Sequence, residues 1–395
     1  MALLRSYGEL LRPISTVIGV LACALNAFGQ VGMLQPVESS LRMVTTRDVS
    51  PSLHRAAWHG DVGTLKACLE KGEGPDQRND MGETPLHVAA LRGNSDVVRL
   101  LVQYGAQLDT VDNSGATPVQ KAARAGHDSI ARFLWSRGAD YGIFTAAMLG
   151  DVSRMQELLS DDAFLVAATD EWGYTPLHWA SGMGHLEAVS VLTASGANLE
   201  ARARYGNTPL FVASYEGQGD VVAALLEAGA EHSVVSAAAA ADLAALSDAV
   251  ARDASAIERD CAEAVRVAAE LGHVDVLEFL LDRGCNPNGT ISRDITGLHL
   301  AAGRGWAGAV KTLLSHGAEV NAGSGEIVTP LYFALRSPPG KRREIVKLLL
   351  EAGADPRATD HSGNSPVLEA RKAGLTDVLT FMGIGSDGDR LRARN

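Results

Sequence analysis

The 395-residue sequence has few aromatic residues, few cysteines and no excess of positive charge. Phenylalanine, tryptophan and tyrosine make up 5% of the chain, and 35 lysines and arginines stand against 47 aspartates and glutamates, a net charge of −12. A protein that follows a phosphate backbone needs a basic surface, so this balance argues against nucleic-acid binding. The hydrophobic share of 46% is ample for a core, which excludes wholesale disorder.

The four cysteines, Cys23, Cys68, Cys261 and Cys285, are scattered along the chain. They are too few for a disulfide framework, and no pair has the C-x-x-C spacing of a zinc site. Cys68 lies among apolar residues, and Cys285 follows a glycine where related segments of the chain have alanine. We therefore expect Cys68, Cys261 and Cys285 to be buried as small hydrophobic residues.

Glycine is abundant, with 41 residues, and one phrase, Thr-Pro-Leu-His, recurs with variations. Its copies begin at Thr84, Thr117, Thr175, Thr208, Thr296 and Thr329. An alanine that follows the phrase recurs every 33 residues, from Ala56 to Ala89 and from there to Ala122. A fixed period of this kind predicts one supersecondary unit per copy, each stacked on its neighbours.

The residues within one period predict a pair of helices. Thr84 is a good N-cap, and Pro85 suits the first helical position, where the backbone has no amide to satisfy. Gly93 allows a turn, and the apolar block 97–101 supplies the buried face of a second helix. Gly105 then ends that helix in a left-handed conformation.

This pattern resembles the ankyrin repeat family, whose signature is T-P-L-H-x-A in a unit of about 33 residues. The resemblance covers residues 48–383 and implies an all-α solenoid of stacked helix pairs. It also implies a β-turn, here called the finger, before each pair, and signature histidines that tie adjacent loops together. The matching finger glycines are Gly82, Gly115, Gly173, Gly206 and Gly363, and the signature histidines are His87, His178 and His299.

Two stretches, residues 141–170 and the alanine-rich residues 237–260, lack the recurring phrase. They align with each other at an offset of 91 residues, so that Gly150-Asp151-Val152 matches Ala241-Asp242-Leu243. We interpret both as repeats without a finger and not as linkers. The chain then contains about eleven repeats in one elongated solenoid, residues 43–383, followed by a flexible tail, residues 384–395.

Residues 1–42 precede the repeats and admit three interpretations. Residues 13–37 contain no charged side chain and follow Arg5 and Arg12, which is typical of a signal peptide or a single membrane anchor. Val20-Leu21-Ala22-Cys23 resembles a bacterial lipobox, which would make Cys23 the lipidated first residue of an exported chain. Alternatively, translation begins at Met43 and the protein is cytosolic. We favour export or membrane anchoring.

The sequence offers little catalytic chemistry. Residues 303–308 read G-x-G-x-x-G, but the spacing makes Gly305 a turn glycine between two helices, whereas a dinucleotide site requires a preceding strand. No HExxH motif, Cys/His cluster or G-x-S-x-G nucleophile elbow is present. We predict a non-enzymatic protein without cofactor or metal; an enzyme or an accessory subunit of one would need a polar site built across repeats.

In the ankyrin family, partners usually lie along the concave surface of fingers and first helices, and the resemblance extends this to the present chain. Tryptophan, tyrosine and arginine, which dominate interface hot spots, concentrate in the fifth and sixth repeats. The predicted partner-binding residues are Trp172, Tyr174, Trp179, Met183, Arg202, Arg204, Tyr205 and Tyr215. Phe211 is expected to pack between repeats instead. We thus predict a monomeric scaffold that binds a partner protein.

Overall fold

The computed structural model describes residues 52–290, 295–323 and 329–384. In these ranges the chain forms 22 α-helices and one 3₁₀-helix, with no strand, and it divides into two compact units between Glu231 and His232. The helices of the first unit are α1 (Ser52–His59), α2 (Val62–Glu70), α3 (Pro85–Arg92), α4 (Ser95–Gln103), α5 (Pro118–Arg124), α6 (Asp128–Ser136), α7 (Ile143–Leu149), α8 (Val152–Asp161), the 3₁₀-helix (Ala163–Ala167), α9 (Pro176–Gly182), α10 (Leu186–Ala194), α11 (Pro209–Tyr215) and α12 (Gly219–Glu227). Those of the second unit are α13 (Val234–Ala239), α14 (Leu243–Arg252), α15 (Ala254–Leu271), α16 (Val274–Asp282), α17 (Gly297–Arg304), α18 (Ala307–Ser315), α19 (Pro330–Ala334), α20 (Pro339–Glu351), α21 (Pro366–Lys372) and α22 (Thr376–Phe381).

Within each unit the helices form successive pairs, one pair per repeat. The first helix of a pair contacts the first helix of the next, and the second helices contact one another in the same order. The described ranges contain eleven such pairs, which we number as repeats 1–6 in the first unit and 7–11 in the second. This arrangement confirms the predicted all-α solenoid architecture.

Small residues allow the first helices to pack closely. Ala89, Ala122, Ala146 and Ala180, which occupy equivalent positions in repeats 2–5, are all fully buried. A larger side chain at these positions would push neighbouring helices apart, because protein interiors are packed as densely as organic crystals. The alanine periodicity in the sequence therefore marks the positions at which the first helices of adjacent repeats pack against each other.

The threonine–proline pairs begin the first helices, as predicted. Thr175 is the N-cap of α9, and its side-chain oxygen accepts a hydrogen bond from the backbone amide of His178. Thr208 caps α11 in the same way through the amide of Phe211. Proline follows each cap, where its missing N–H costs no helical hydrogen bond.

The signature histidines His87 and His178 use both ring nitrogens, one within their own repeat and the other to join the next repeat. Nδ1 of His178 accepts a hydrogen bond from the backbone amide of Thr175 (3.0 Å), so Nε2 carries the proton and donates it to the carbonyl of Asn207 in the next repeat (3.0 Å). His87 makes the equivalent pair of bonds. The predicted role of these two histidines in tying adjacent loops is confirmed.

This bonding predicts a stability that depends on pH. Burial lowers the pKa of His178 to about 4, from an ordinary value of 6.5. Between these values the unfolded chain binds a proton that the folded chain does not, so the free energy of unfolding falls as the pH drops from 6.5 to 4. This pKa shift corresponds to a loss of roughly 3 kcal/mol in the free energy of unfolding. Urea titrations at several pH values measure the loss.

Repeat 3 supplies a control for this prediction. Gln120 stands at the signature position there, and its side-chain oxygen accepts from the backbone amide of Thr117 over 3.0 Å. A His178→Gln variant can therefore keep the cap while losing the titrating ring. The pH dependence between 6.5 and 4 should be shallower in the variant; an unchanged slope would show that His178 does not cause it.

A second set of side chains ties six of the repeats, numbers 2, 3, 5, 6, 8 and 9, back to the preceding repeat. These residues lie at the N-cap of the second helix, and each donates to a carbonyl near the end of the previous repeat's first helix. In the first unit the donors are Asn94 to Ala57 (2.6 Å), His127 to Leu91 (3.2 Å), His185 to Met148 (2.9 Å) and Gln218 to Gly182 (3.1 Å). In the second unit they are His273 to Ala239 (3.1 Å) and Trp306 to Glu270 (2.8 Å). We call them the backward ties.

The backward ties explain why the inter-helix turn needs glycine. Gly93 has φ 75°, and a Cβ atom there would lie 2.7 Å from Cε1 of His127. The glycine therefore provides both the left-handed backbone and the space for the tie. Two repeats depart from this rule: in repeat 7 Ala241 takes the equivalent turn with φ 56°, and in repeat 10 the turn from Leu335 to Pro338 contains no glycine.

The two stretches without the recurring phrase are helix pairs, as the sequence indicated: α7 with α8, and α13 with α14. They are followed by different connections. The 3₁₀-helix, residues 163–167, follows α8, whereas α14 is followed after Asp253 by the 18-residue helix α15. The first helix of repeat 8 is thus extended backward into the segment where other repeats have a finger.

The expectation for the cysteines is wrong in one respect. Cys68 is buried in α2 as predicted, but Cys261 and Cys285 form a disulfide with their Cα atoms 5.6 Å apart. The long helix α15 places Cys261 beside the loop that follows α16, where Cys285 lies. The repeat pattern does not show this proximity, because it does not reveal that α15 continues through the segment.

Candidate partner-binding surface

The fingers of repeats 5 and 6 form a fixed backbone platform. Their turns occur at Gly173 and Gly206, with φ 76° and 81°. In repeat 5, Oδ1 of Asp170 accepts a hydrogen bond from the backbone amide of Trp172 over 2.9 Å. The two fingers are joined by the backbone amide of Arg204, which donates to the carbonyl of Trp172 over 2.8 Å. Side chains at these tips therefore project from an ordered backbone.

Part of the predicted set faces solvent. Tyr205 is 62% exposed, and Arg202 and Arg204 are also exposed. The guanidinium carbon of Arg204 lies 6.0 Å from the ring centre of the half-buried Trp172, within the range of a cation–π contact. Met183 is half-buried at the C-cap of α9, about 10 Å along the helix from the finger.

Two other members of the predicted set lie beneath the finger of repeat 5. Tyr174 and Trp179 are 4% and 3% exposed. The indole nitrogen of Trp179 donates to Oδ2 of Asp170 over 3.0 Å, and the hydroxyl of Tyr174 accepts from the side-chain amide of Asn207 over 3.1 Å. Their expected placement on the binding surface is corrected: both rings support the platform from below, since their polar atoms find partners inside the protein.

Tyr215 is also buried. It is 7% exposed at the end of α11, and its ring centre lies 5.8 Å from that of Phe211. Phe211 is 4% exposed, which confirms that it packs inside the protein. The surface patch therefore consists of Trp172, Arg202, Arg204 and Tyr205, with Met183 at its margin, and we call it the finger patch.

Beside the finger patch is a cavity of about 220 Å³ that we call the finger gap. It separates the finger of repeat 3 from that of repeat 5, because repeat 4 has none. Its lining includes Gln120 and Arg124 of α5, Phe144 and Met148 of α7, and Glu171, Trp172 and Trp179 of repeat 5. Adjacent fingers elsewhere in this unit are bonded directly, as Asn113 is to Met81 (3.0 Å). The gap follows from the missing finger.

The finger gap contains charges of both signs. Burial raises the pKa of Asp170, although the amide of Tyr174 and the indole of Trp179 donate to the carboxylate and lower it. Burial also raises the pKa of Glu171, and the negative charge of Asp112 raises it further. The Trp172 side chain and the positive charge of Arg124 act in the opposite direction and lower the pKa of Glu171.

The cation of the finger gap is Arg124. Burial lowers the pKa of its guanidinium, and the nearby Asp170 raises it. The guanidinium carbon lies over the ring of Trp179, 5.0 Å from its centre. An aromatic face in this gap thus already accommodates one guanidinium.

The finger gap and its residues Arg124, Phe144 and Glu171 were not predicted from the sequence. The available signal was the missing finger of repeat 4, since removing one finger from a stack must separate its two neighbours. Phe164 in the 3₁₀-helix, which is 87% exposed, was not predicted from the sequence either. A short helix in place of a finger was not predictable from the repeat alignment.

The amino terminus and metal chemistry are considered next. Cys23 and residues 1–42 lie outside the described residues. Across residues 52–290, 295–323 and 329–384, no helix has the length and apolar character needed to cross a lipid bilayer. In the same ranges no group of three or more histidine, cysteine, aspartate and glutamate side chains is arranged to hold a metal ion.

Comparison with known families gives a match over most of the repeats. The family described as ankyrin repeats (3 copies) matches residues 53–145, 143–236 and 265–360. These three segments together include both units and more than half of the chain.

Individual relatives match shorter parts. A 2-5A-dependent ribonuclease of Mus musculus is 38% identical over 77 residues, which are 20% of this chain and 10% of the relative. The putative ankyrin repeat protein YahD of Escherichia coli is 27% identical over 51% of this chain and 92% of its own length. The B-cell lymphoma 3 protein homolog of Mus musculus is 27% identical over 61% of this chain and 50% of its own length. The chain thus spans a tenth of the ribonuclease and half of the B-cell lymphoma 3 homolog.

Proposed function

The chain belongs to the ankyrin repeat family, a class of protein–protein interaction modules, and from this premise we propose that it is a non-enzymatic, monomeric scaffold that binds one partner protein through the finger patch. The exposure of Tyr205 beside Arg204 and Trp172 is the observation that carries the proposal. Tyrosine, tryptophan and arginine bury a large area while retaining polar atoms, which is why they dominate interface hot spots.

The ordered backbone beneath the patch favours the same function. Binding costs free energy whenever loops and side chains must be immobilised. Here the finger of repeat 5 is already fixed by Asp170, and its neighbour is fixed to it by the bond from Arg204 to Trp172. A partner would meet a surface that needs little rearrangement.

The partner can be identified by placing a photo-reactive phenylalanine analogue at position 205 and irradiating cells of the native source. We expect one discrete adduct that mass spectrometry identifies. The same analogue at Tyr104, which is 39% exposed at the end of α4 in repeat 2, is the matched control. Equal adducts from both positions would contradict a patch on repeats 5 and 6.

The identified partner then allows a quantitative test. Tyr205→Ala combined with Arg204→Ala should weaken its binding at least 30-fold, as expected for hot-spot residues worth about 2 kcal/mol or more. The backbone bond from residue 204 remains, so the folded state should be unaffected. Tyr104→Ala should bind as the wild type does. Wild-type affinity in the double variant would refute the finger patch.

We further propose that the scaffold is exported or anchored at a membrane through residues 1–42. The disulfide between Cys261 and Cys285 supports this, because disulfides persist mainly in oxidising compartments outside the cytosol. The alternative is a cytosolic chain that begins at Met43. The intact mass of the native protein discriminates them: a mature start at or near Cys23, or an unprocessed chain in the membrane fraction, supports the proposal, and a start at Met43 contradicts it.

A further inference from the structure

The finger gap is large enough for one long side chain. Its volume of about 220 Å³, counted as space open to water centres, is well above the roughly 15 Å³ that admits one water molecule. Because repeat 4 has no finger, the gap opens between two fingers on the same side of the first unit as the finger patch, and Trp172 belongs to both. A partner bound to the finger patch therefore lies next to the opening.

The lining suits a side chain with an apolar stem and a cationic end. Phe144, Met148 and Trp172 provide apolar and aromatic surface. The face of an indole attracts a guanidinium or ammonium group, as Arg124 already shows over Trp179. Long basic side chains bury their methylene groups against such surfaces while their charge reaches a polar partner.

Glu171 supplies the polar partner. Its side chain extends across the gap toward repeat 3, since a Cβ atom on Gly115 would lie 2.8 Å from its Oε2. Glu171 is exposed, and its charged form is stabilised within the described ranges by the Trp172 side chain and, more weakly, by Arg124. The one guanidinium in the gap, that of Arg124, stands over Trp179.

The wider charge distribution is consistent with a basic ligand. Residues 52–231 contain 23 aspartates and glutamates and 13 lysines and arginines, a net charge of −10 out of −12 for the whole chain. A surface of this sign attracts basic segments and repels acidic ones.

We propose that the finger gap receives an arginine or lysine side chain from the partner protein, with Glu171 binding the cation and Trp172 covering its stem. This inference rests on the proposed function, because it assigns one residue class of the same partner. It commits to a basic protein segment as the ligand.

The test uses the full chain and short peptides. The probe is acetyl-Gly-Arg-Gly-amide, and the matched neutral probe replaces arginine by citrulline, which has nearly the same shape without the charge. The readout is the indole N–H resonance of Trp172 in a ¹⁵N spectrum, assigned among the five tryptophans with a Trp172→Phe variant. We expect saturable shifts with the arginine peptide and at least tenfold weaker binding of the citrulline peptide.

A pair of charge-removing variants completes the test. Glu171→Gln should weaken the binding of the arginine peptide about tenfold, which is the usual effect of losing one hydrogen bond to a charged group. Glu187→Gln, on the exposed face of α10, removes the same charge from the first unit away from the gap and should have no effect. A preference for acetyl-Gly-Glu-Gly-amide, or an arginine response that Glu171→Gln leaves unchanged, would overturn the proposal.

The outcome is separable from that of the scaffold proposal. If Tyr205→Ala with Arg204→Ala abolishes partner binding while Glu171→Gln does not alter it, the scaffold stands and the basic anchor fails. If the arginine peptide binds through Glu171 but no partner is cross-linked from position 205, the finger patch fails and the finger gap stands as a site for basic side chains.

Discussion

Replacing Trp179 by alanine is expected to lower the free energy of unfolding of the first unit by about 3–5 kcal/mol, the usual cost of truncating a large buried aromatic residue. The side chain is 3% exposed, and its ring centre is 5.5 Å from that of Tyr174. The substitution also removes the indole donor from Asp170, whose carboxylate fixes the finger of repeat 5. Urea denaturation followed by circular dichroism measures the loss.

Trp135 is the control for this result. It is 45% exposed in α6, so Trp135→Ala should cost only about 1 kcal/mol. If Trp179→Ala costs no more than that and still abolishes partner binding, Trp179 would be a surface contact after all, as the sequence alone suggested. A large loss of stability for Trp179 alone would establish it as a support for the platform.

Removing the disulfide is expected to produce the second large effect. Cys261 and Cys285 are 24 residues apart in sequence. Closing a loop of this size lowers the entropy of the unfolded chain, which raises its free energy by about 3 kcal/mol in the chain-entropy treatment. The variant Cys261→Ala with Cys285→Ala should therefore lose about that amount in the second unit. Amide hydrogen exchange in α15 and α16 reports the loss locally, without assuming that the two units unfold together.

Reductant provides the matching comparison. Dithiothreitol should lower the protection of α15 and α16 in the wild type to the level of the double variant, and it should leave the double variant unchanged. Cys68→Ala retains both linked cysteines, so it should respond to reductant as the wild type does. A wild type in which Cys261 and Cys285 both react as free thiols before reduction would contradict the disulfide and would remove its support for export.

The repeat architecture was predictable because each local rule recurs with the same spacing. Thr175 and Pro176 begin a helix for reasons that act within one turn, and Gly93 turns the chain because of its own backbone freedom. The finger-less repeats were predictable for a related reason, since Ala241 aligns with Gly150 and both adopt the left-handed turn. Local signals of this kind can be recognised in a single sequence.

The features that were missed depend on contacts across the fold. Trp179 follows a signature histidine, a position that the family resemblance places on the binding surface. Its ring is buried, as are the equivalent Val88 and Val212, and its indole nitrogen donates a hydrogen bond to Asp170, nine residues earlier. The pairing of Cys261 with Cys285 likewise depends on α15 being continuous, and the finger gap depends on how far two fingers separate. The repeat pattern predicts neither the continuity of α15 nor the separation of the two fingers.

The backward ties have a direction that matters while the chain is being made. In each of them the carbonyl acceptor belongs to the earlier repeat and the donor side chain to the later one, as with Asn94 and Ala57 or Trp306 and Glu270. A nascent chain leaves the ribosome from its amino terminus, so each acceptor emerges first and waits for a donor about 36 residues behind it. Each newly emerged repeat that carries a backward tie can thus lock the repeat before it, so that assembly at these positions follows one repeat behind synthesis.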